Sequence, residues 1–334
     1  MKRFLLAAFV GTASTGALLA QTPSDVIIDR VQQPAAPTAP DAAKPAKSTD
    51  EKGDLDGGTQ RIAETRKLPF KLTFNYDVQA FYTTNVFLQP GNEVEAFVVA
   101  STLLTRAEFD SIAVGQGLLT PSVGLVYQRY NHALGSGDQA REDLDFDAYT
   151  LPLGLRLRCG DNWEFNLGVT GTAVYTLEPD YNLTYKSIGT SLSARKLFTF
   201  GRNQLLTVGA GVNFVTTDAD VPVAPFNYRA DRNDKVDTSF DVGYYYLKDR
   251  WMFGPYARLI HSDYLHYQEA GFNDVDRRDL TLSLGASVSY SINTWAVARA
   301  FTSADWRDPQ GDSPVDYSYK NQNLGVGLSL TASF

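Results

Sequence analysis

The sequence of 334 residues predicts an all-β protein: an antiparallel up-and-down transmembrane β-barrel of about 12 strands, preceded by a disordered N-terminal segment. Three observations support this prediction. Long stretches alternate apolar and polar residues, short and long connections alternate along the chain, and the last such stretch ends on Phe334. Because successive residues of a strand point to opposite faces, each stretch has one apolar face and one small, polar face.

The N-terminal 67 residues differ in composition from the rest. Lys2 and Arg3 precede an apolar run that ends in small residues, which predicts a signal peptide over residues 1–20, with cleavage after Ala20 or, alternatively, Ala17. Residues 21–67 are rich in Pro, Ala, Lys, Asp and Gly, so we expect a disordered periplasmic segment. A simple tether is one interpretation, and an arm that binds peptidoglycan or a partner is another. The barrel is expected over residues 68–334.

Bulk composition excludes several classes. A mean hydropathy of −0.23 is too polar for a bundle of membrane helices. Removing Lys2 and Arg3 takes the formal net charge from −8 to −10, which argues against a nucleic-acid partner. Cys159 is the only cysteine, so no internal disulfide is expected and we interpret it as an apolar filler at a strand end.

The alternating stretches are long. A membrane strand needs about 9–11 residues, whereas strands of globular sheets are usually about 5–6 residues long. We predict twelve strands, over residues 68–82, 94–105, 119–131, 146–159, 162–177, 184–199, 204–217, 235–247, 251–264, 278–292, 294–306 and 319–334.

The connections between these strands alternate in length, as expected for short periplasmic turns and long extracellular loops. An even strand number then places both chain ends in the periplasm. Short turns are expected at 160–161, 201–203, 248–250 and around Asn293, and long loops at 83–93, 132–145, 218–234, 265–277 and 307–318, with a shorter one at 178–183. The 106–118 link is too long for a turn, so either strand 2 is misplaced or the link folds into a small plug.

Aromatic residues cluster at the predicted strand ends and indicate two interfacial girdles. Three tryptophans lie beside short turns, and five aromatic residues lie beside long loops. The first set is Trp163, Trp251 and Trp295, and the second is Tyr82, Tyr130, Tyr175, Tyr264 and Trp306.

Charged residues on the polar faces are candidates for the lining of a pore. They are Lys71, Asp77, Arg156, Arg158, Glu164, Arg195, Asp241 and Arg258. Arginines in a lumen would attract anions and pair with carboxylate or phosphate groups. Alternatively, they form internal pairs with neighbouring carboxylates. The small lining residues either leave room for water or suit tightly coiled strands.

Two arginines have an ambiguous facing. Arg129 shares the outward register of Leu125 and Tyr127, which places it outward at the loop end. Arg299 would face lipid together with Trp295, at a cost of about 2–4 kcal/mol at the midplane. Either that strand is bulged, or its small residues Ala296, Ala298 and Ala300 face lipid instead.

Catalysis is not expected. A hydrolase would need a serine and a histidine within hydrogen-bond reach. His261 and Ser262 are neighbours in a strand and therefore point to opposite faces. Three scattered histidines and no cysteine cluster also argue against a transition-metal site. No metal and no cofactor are expected.

The segment YTTNVFLQP, residues 82–90, carries a family resemblance. Tyr82, Asn85, Val86 and Phe87 resemble the opening signature of the β-barrel porin 2 group and of related outer-membrane proteins of exopolysaccharide clusters. Residues 120–132 look like the strand that follows in those proteins. That family usually has Asp or Ser just before the Asn, where this chain has threonine. The resemblance covers about the first third of the barrel and implies an outer-membrane, porin-like protein.

The sequence therefore predicts a porin-like channel in the cell outer membrane for passive diffusion of small hydrophilic solutes or ions, with a preference for anions. The alternative is a non-conducting barrel that acts as a scaffold or partner in envelope tethering or exopolysaccharide export. Expected partners are outer-membrane lipid, the barrel assembly machinery, for which Phe334 is the signal, and small hydrophilic solutes. The sequence leaves open whether the barrel forms a homo-oligomer.

Overall fold

The computed structural model describes residues 69–88, 90, 93–133, 144–177, 181–219, 222–223, 226–227, 230–267, 275–312 and 318–334. The predicted signal peptide and the predicted disordered segment lie outside the described residues. Among the residues that are described, no helix is long and apolar enough to cross a membrane.

Fifteen strands follow one another along the described chain, twelve of them with 14 to 19 residues. They are β1 (Phe70–Thr83), β2 (Ala96–Phe109), β3 (Ile112–Val114), β4 (Gly117–Ala133), β5 (Phe146–Cys159), β6 (Trp163–Thr176), β7 (Asn182–Phe200), β8 (Gln204–Ala219), β9 (Pro222–Val223), β10 (Phe226–Asn227), β11 (Lys235–Lys248), β12 (Trp251–Tyr264), β13 (Arg278–Ser291), β14 (Ala296–Pro309) and β15 (Tyr319–Ser333).

The twelve long strands form one closed antiparallel barrel. Each pairs with its neighbours in the chain, and β1 pairs with both β2 and β15. Closure leaves no unpaired strand edge, which the hydrocarbon of a membrane requires. The predicted up-and-down barrel of 12 strands is confirmed, and the predicted strand bounds lie within a few residues of the observed ones.

The length of the 106–118 connection is explained by additional strand pairing at the short-turn end of the barrel. β2 continues to Phe109, beyond its predicted end at residue 105. The chain then forms the short β3, which pairs with β4 through a turn where Gly115 has a φ of 58°. The interpretation that strand 2 was misplaced is therefore correct, and the interpretation of a small plug is wrong.

The outer face of the barrel is apolar and exposed. Leu192 and Val326 each keep 60% of their surface accessible, and similar residues recur on the outward positions of eleven of the twelve long strands, whereas β14 has small residues such as Ala298 and Ala300 there. An exposed apolar belt of this extent has no favourable contact with water, so it favours contact with lipid. The inner face carries most of the buried polar residues.

The aromatic girdles are only partly as predicted. Trp163, Trp251 and Trp295 are exposed at the short-turn end, and Tyr82 is exposed at the loop end.

Two tyrosines predicted for the loop-end girdle lie inside the barrel instead. Tyr130 shares the inward register of Ala100, and its ring stacks on that of Phe146 with 4.7 Å between the ring centroids. Tyr264 is likewise buried on the inner face of β12, beside Ser262. The prediction of outward girdle positions for Tyr130 and Tyr264 is therefore wrong, because their strand register places them inside.

An apolar cluster fills one side of the interior at the loop end. Its buried members come from six strands: Phe81, Val98, Ala100, Tyr130, Phe146, Ala148, Val174 and Tyr185, with Phe301 packed against them. Rings from neighbouring strands cover the smaller side chains, so this part of the interior is a packed core.

Candidate functional site

The inner surface of the barrel contains all eight charged residues predicted as lining. Strand pairing places Lys71 and Asp77 on β1, Arg156 and Arg158 on β5, Glu164 on β6, Arg195 on β7, Asp241 on β11 and Arg258 on β12, each facing inward with its register partners. They fall into two groups at different depths, one at the short-turn mouth and one at mid-barrel.

The short-turn mouth contains an ion-pair cluster. Glu108 Oε1 accepts contacts at 3.1 Å from both Arg106 and Arg156. Next to them, Arg158 Nε donates to Glu164 Oε2 at 3.0 Å. The side chains of Arg106 and Arg158 are 40% and 41% exposed, whereas those of Glu108 and Glu164 are 19% and 15% exposed. The open surface of this cluster is therefore mainly cationic.

Arg106 and Glu108 were missed as lining residues because the predicted second strand ended at residue 105. The alternation Leu104, Arg106, Glu108 continues the inward face of β2 and could have revealed them.

The mid-barrel group has Asp77 at its centre. Asp77 accepts hydrogen bonds from Gln79 at 2.6 Å and from Ser329, and its Oδ2 lies 3.3 Å from Arg299 Nη2. Arg299 therefore faces the interior, and the alternative in which Ala298 and Ala300 face outward is the one observed. Arg129 faces outward, as interpreted, with its guanidinium 3.9 Å from Asp147.

A second group of paired charged side chains at mid-barrel involves strands β7, β8, β11 and β12. Arg195 Nη2 is 4.0 Å from Asp241 Oδ2, and Arg258 is the register partner of Asp241 on the next strand. The side chain of Asp241 has room on the inner face because its register partner on β8 is Gly209. A Cβ at Gly209 would lie only 2.8 Å from the Asp241 carboxylate. Asp77, Asp241 and Arg258 are all at least nine-tenths buried. The mid-barrel arginines thus form internal pairs.

The small lining residues make room for neighbouring side chains. A Cβ at Gly285 would lie 2.5 Å from the ring of Tyr256, which covers this glycine from the adjacent strand. A Cβ at Gly325 would lie 2.7 Å from Phe301. Glycine in a strand allows such a close approach. Of the two alternatives for the small lining residues, the one in which they leave room for water is wrong at these positions, because aromatic rings occupy the space.

The loop end contains an arginine–tyrosine cluster that the sequence analysis did not find. Arg277 donates to Asp279 Oδ2 at 2.8 and 3.1 Å and stacks over Tyr264 and Tyr267 at 4.2 and 4.6 Å. Arg232 donates to Tyr267 Oη at 3.1 Å. These contacts hold the chain segments that precede β11 and β13 against the inner wall of the barrel. Three of these residues come from two predicted loops and the other two from predicted strand ends, and no sequence signal places them together.

Asp145, just before β5, anchors the loop end of β4. Its carboxylate accepts from the backbone N–H of His132 at 2.6 Å and from Asn131 Nδ2 at 3.0 Å, and His132 Nδ1 lies 3.0 Å away. Burial favours the neutral acid, but the hydrogen bonds from His132 and Asn131 outweigh it and lower the pKa of Asp145.

The structure assembles no catalytic group from His261 and Ser262. His261 points outward and Ser262 inward, where its hydroxyl donates to Asp237 at 2.6 Å. Within the described ranges, no group of three or more His, Cys, Asp or Glu residues is placed to hold a metal ion.

Comparison with known proteins gives no family. No family model matches the chain, and no curated protein is similar to it in sequence. The resemblance to the β-barrel porin 2 group therefore stays a prediction.

Solved structures of outer-membrane proteins are similar to the chain at low identity. An outer-membrane channel from Pseudomonas putida F1 is 12% identical, covers 84% of this chain and 100% of its own, and has a TM-score of 0.49. The β-domain of the Bordetella autotransporter BrkA is 13% identical, with coverages of 78% and 98% and a TM-score of 0.40. The translocator domain of NalP from Neisseria meningitidis is 12% identical, with coverages of 80% and 90% and a TM-score of 0.41. Similarity at this level identifies neither a family nor a solute.

Proposed function

We propose that the protein is a low-conductance channel of the cell outer membrane for small hydrophilic solutes or ions. The observation that carries the proposal is the division of the barrel wall: an exposed apolar outer face, and an inner face with charged residues at the mouth and at mid-barrel. An apolar outer face suits lipid, and a charged inner face suits a path for hydrated solutes.

The paired arginines limit the expected ion preference. Arg156, Arg158 and Arg195 each have a carboxylate within 4.0 Å, which cancels much of their attraction for anions. The surplus positive charge lies at the short-turn mouth, where Arg106 and Arg158 are the most exposed members of the cluster. We therefore expect a weak anion preference that originates at the mouth.

Mid-barrel is the proposed constriction. Tyr245, Asp241 and Arg258 are at least nine-tenths buried there, and Tyr256 covers Gly285. A solute path through this level needs these side chains to move or leaves only a narrow passage, which is why low conductance is expected.

Planar-bilayer recordings of the refolded mature protein in a salt gradient test this function. Wild-type protein should give small discrete steps, and Tyr256→Ala should give larger ones because it removes a ring from the constriction. Tyr290→Ala is the matched control, since Tyr290 lies on the outer face of β13 against Trp251. If heat-modifiable, folded wild type and Tyr256→Ala both give no steps, the channel proposal is overturned.

A non-conducting scaffold is the second candidate, and the burial of the mid-barrel side chains favours it. In that case residues 21–67 would bind an envelope partner. Deleting residues 21–67 separates the two candidates: a channel keeps its single-channel steps, whereas a scaffold has none to keep and loses its partner in pull-down experiments.

A further inference from the structure

The exposed cationic surface of the short-turn mouth has a complementary segment in the same chain. We propose that residues 50–56 bind at this mouth, with their carboxylates on Arg106 and Arg158. This interaction is additional to the proposed channel function and does not depend on conduction.

The mouth is built to present cations. Glu108 is shared by Arg106 and Arg156 and is mostly covered, as is Glu164 beside Arg158. Each carboxylate is therefore engaged, whereas two guanidinium groups keep about two-fifths of their surface open. With Lys71, which is exposed next to Glu108 in the β1–β2 register, this ion-pair cluster has four cations against two carboxylates.

The chain enters the barrel at the same mouth. Pro69 is fixed there, because its carbonyl accepts a hydrogen bond from the backbone N–H of Asp110 at 3.2 Å. Residues 57–68 join this point to residues 50–56. A connection of that length reaches at most about 40 Å, so the mouth lies within range of the acidic residues. A short tether also gives an effective concentration in the millimolar range.

Charge is distributed unevenly in the segment before β1. Residues 50–56 contain Asp50, Glu51, Asp54 and Asp56 against Lys52. The adjoining residues 57–67 contain Arg61, Arg66 and Lys67 against Glu64. Only the first group complements a cationic mouth, and arginine binds carboxylates well in paired geometry. The second group supplies a matched control with the opposite charge.

Pulsed electron paramagnetic resonance on the refolded mature protein tests the proposal. Nitroxides are placed at Ser48→Cys and at Gln116→Cys, in the exposed β3–β4 turn, in a Cys159→Ser background. Docking should give a narrow population of short distances at low salt. That population should largely disappear at about 1 M salt, where the Debye length falls to about 3 Å.

Charge variants identify the contacts. Arg106→Gln/Arg158→Gln and Asp54→Asn/Asp56→Asn should each remove most of the short-distance population, while Arg61→Gln/Arg66→Gln should leave it in place. A broad distribution in wild type, unchanged by salt and by the first two variants, overturns the proposal. The same holds if the control variant abolishes the population as strongly as the others. Because the readout is a distance, its failure is distinct from a failure to conduct.

Discussion

Arg299 on β14 reaches past β15 to Asp77 on β1, with Nη2 of the arginine 3.3 Å from Oδ2 of the aspartate. The guanidinium passes Gly327, where a Cβ would lie 3.4 Å from Nη2. Since β1 and β15 are the strands that close the barrel, this buried pair lies across the closing seam. Ser329 and Gln79 complete the hydrogen bonding of Asp77.

Breaking this seam pair should destabilise the barrel. Arg299→Gln leaves the 1% exposed carboxylate of Asp77 without its cation, and removing one partner of a buried pair costs about 3–5 kcal/mol. Urea unfolding in detergent measures the loss. The double variant Asp77→Asn/Arg299→Gln should recover part of it, because no uncompensated charge remains. Equal stability of Arg299→Gln and wild type would show that the pair does not support the seam.

The packing of Tyr256 over Gly285 predicts that the stability lost on replacing a glycine with alanine depends strongly on which glycine is replaced. Gly285→Ala places a Cβ 2.5 Å from the tyrosine ring, and overpacking of this kind costs about 1–3 kcal/mol. Gly171→Ala is the matched control, since nothing lies within 4 Å of a Cβ at Gly171. Unfolding midpoints should drop for the first variant and stay near wild type for the second. A similar midpoint for both variants would contradict the packing described.

Replacing Phe334, the predicted assembly signal, should reduce assembly more than stability. The ring of Phe334 is 75% exposed and meets Phe74 edge-on at 6.2 Å, while its backbone exchanges two hydrogen bonds with Leu72. Phe334→Ala keeps those backbone bonds, so refolding in detergent should be nearly normal while the amount in the outer membrane falls several-fold. Phe109→Ala, at another exposed aromatic residue of the same barrel end, is the control. A normal outer-membrane level for Phe334→Ala would remove the assembly role.

The hydrogen bonds to Asp145 predict a pH-dependent contribution to stability. Because the folded-state pKa of Asp145 is lowered, its stabilising effect is fully present above the unfolded value of about 3.9 and is lost as the pH falls through the folded value. Asp145→Asn should therefore lower the free energy of unfolding at pH 7, and the difference from wild type should shrink below about pH 4.

Urea titrations at the two pH values measure this difference. Asp161→Asn, at an exposed residue of the β5–β6 turn, serves as the control and should not show the same change. A difference between Asp145→Asn and wild type that is independent of pH would contradict the role assigned to the carboxylate.

Much of the fold was predictable because strand periodicity is a local property. In β15, each apolar residue from Leu324 to Leu330 points outward and each small residue between them points inward, as the alternation predicts. The same rule placed Arg258 and Asp241 inside. It failed to decide the facing of Arg299, because the residues around it in β14 are alanines that suit either face.

The contacts within the site were not predictable in this way. Asp77 and Arg299 lie 222 positions apart, and only the register of β14, β15 and β1 brings their side chains together. Likewise, the sequence shows that Gly285 is small and inward, but not that Tyr256 covers it.

The sequence by itself determined that the chain forms long two-faced strands, which residues occupy each face along most of them, and how many long strands there are. The tertiary structure alone decided which inward side chains meet, and therefore that the mid-barrel arginines are paired and the glycines are covered. The physical reason is that a side chain's face depends on its own strand. Its partners depend on the stagger between strands, which barrel closure sets for all twelve together.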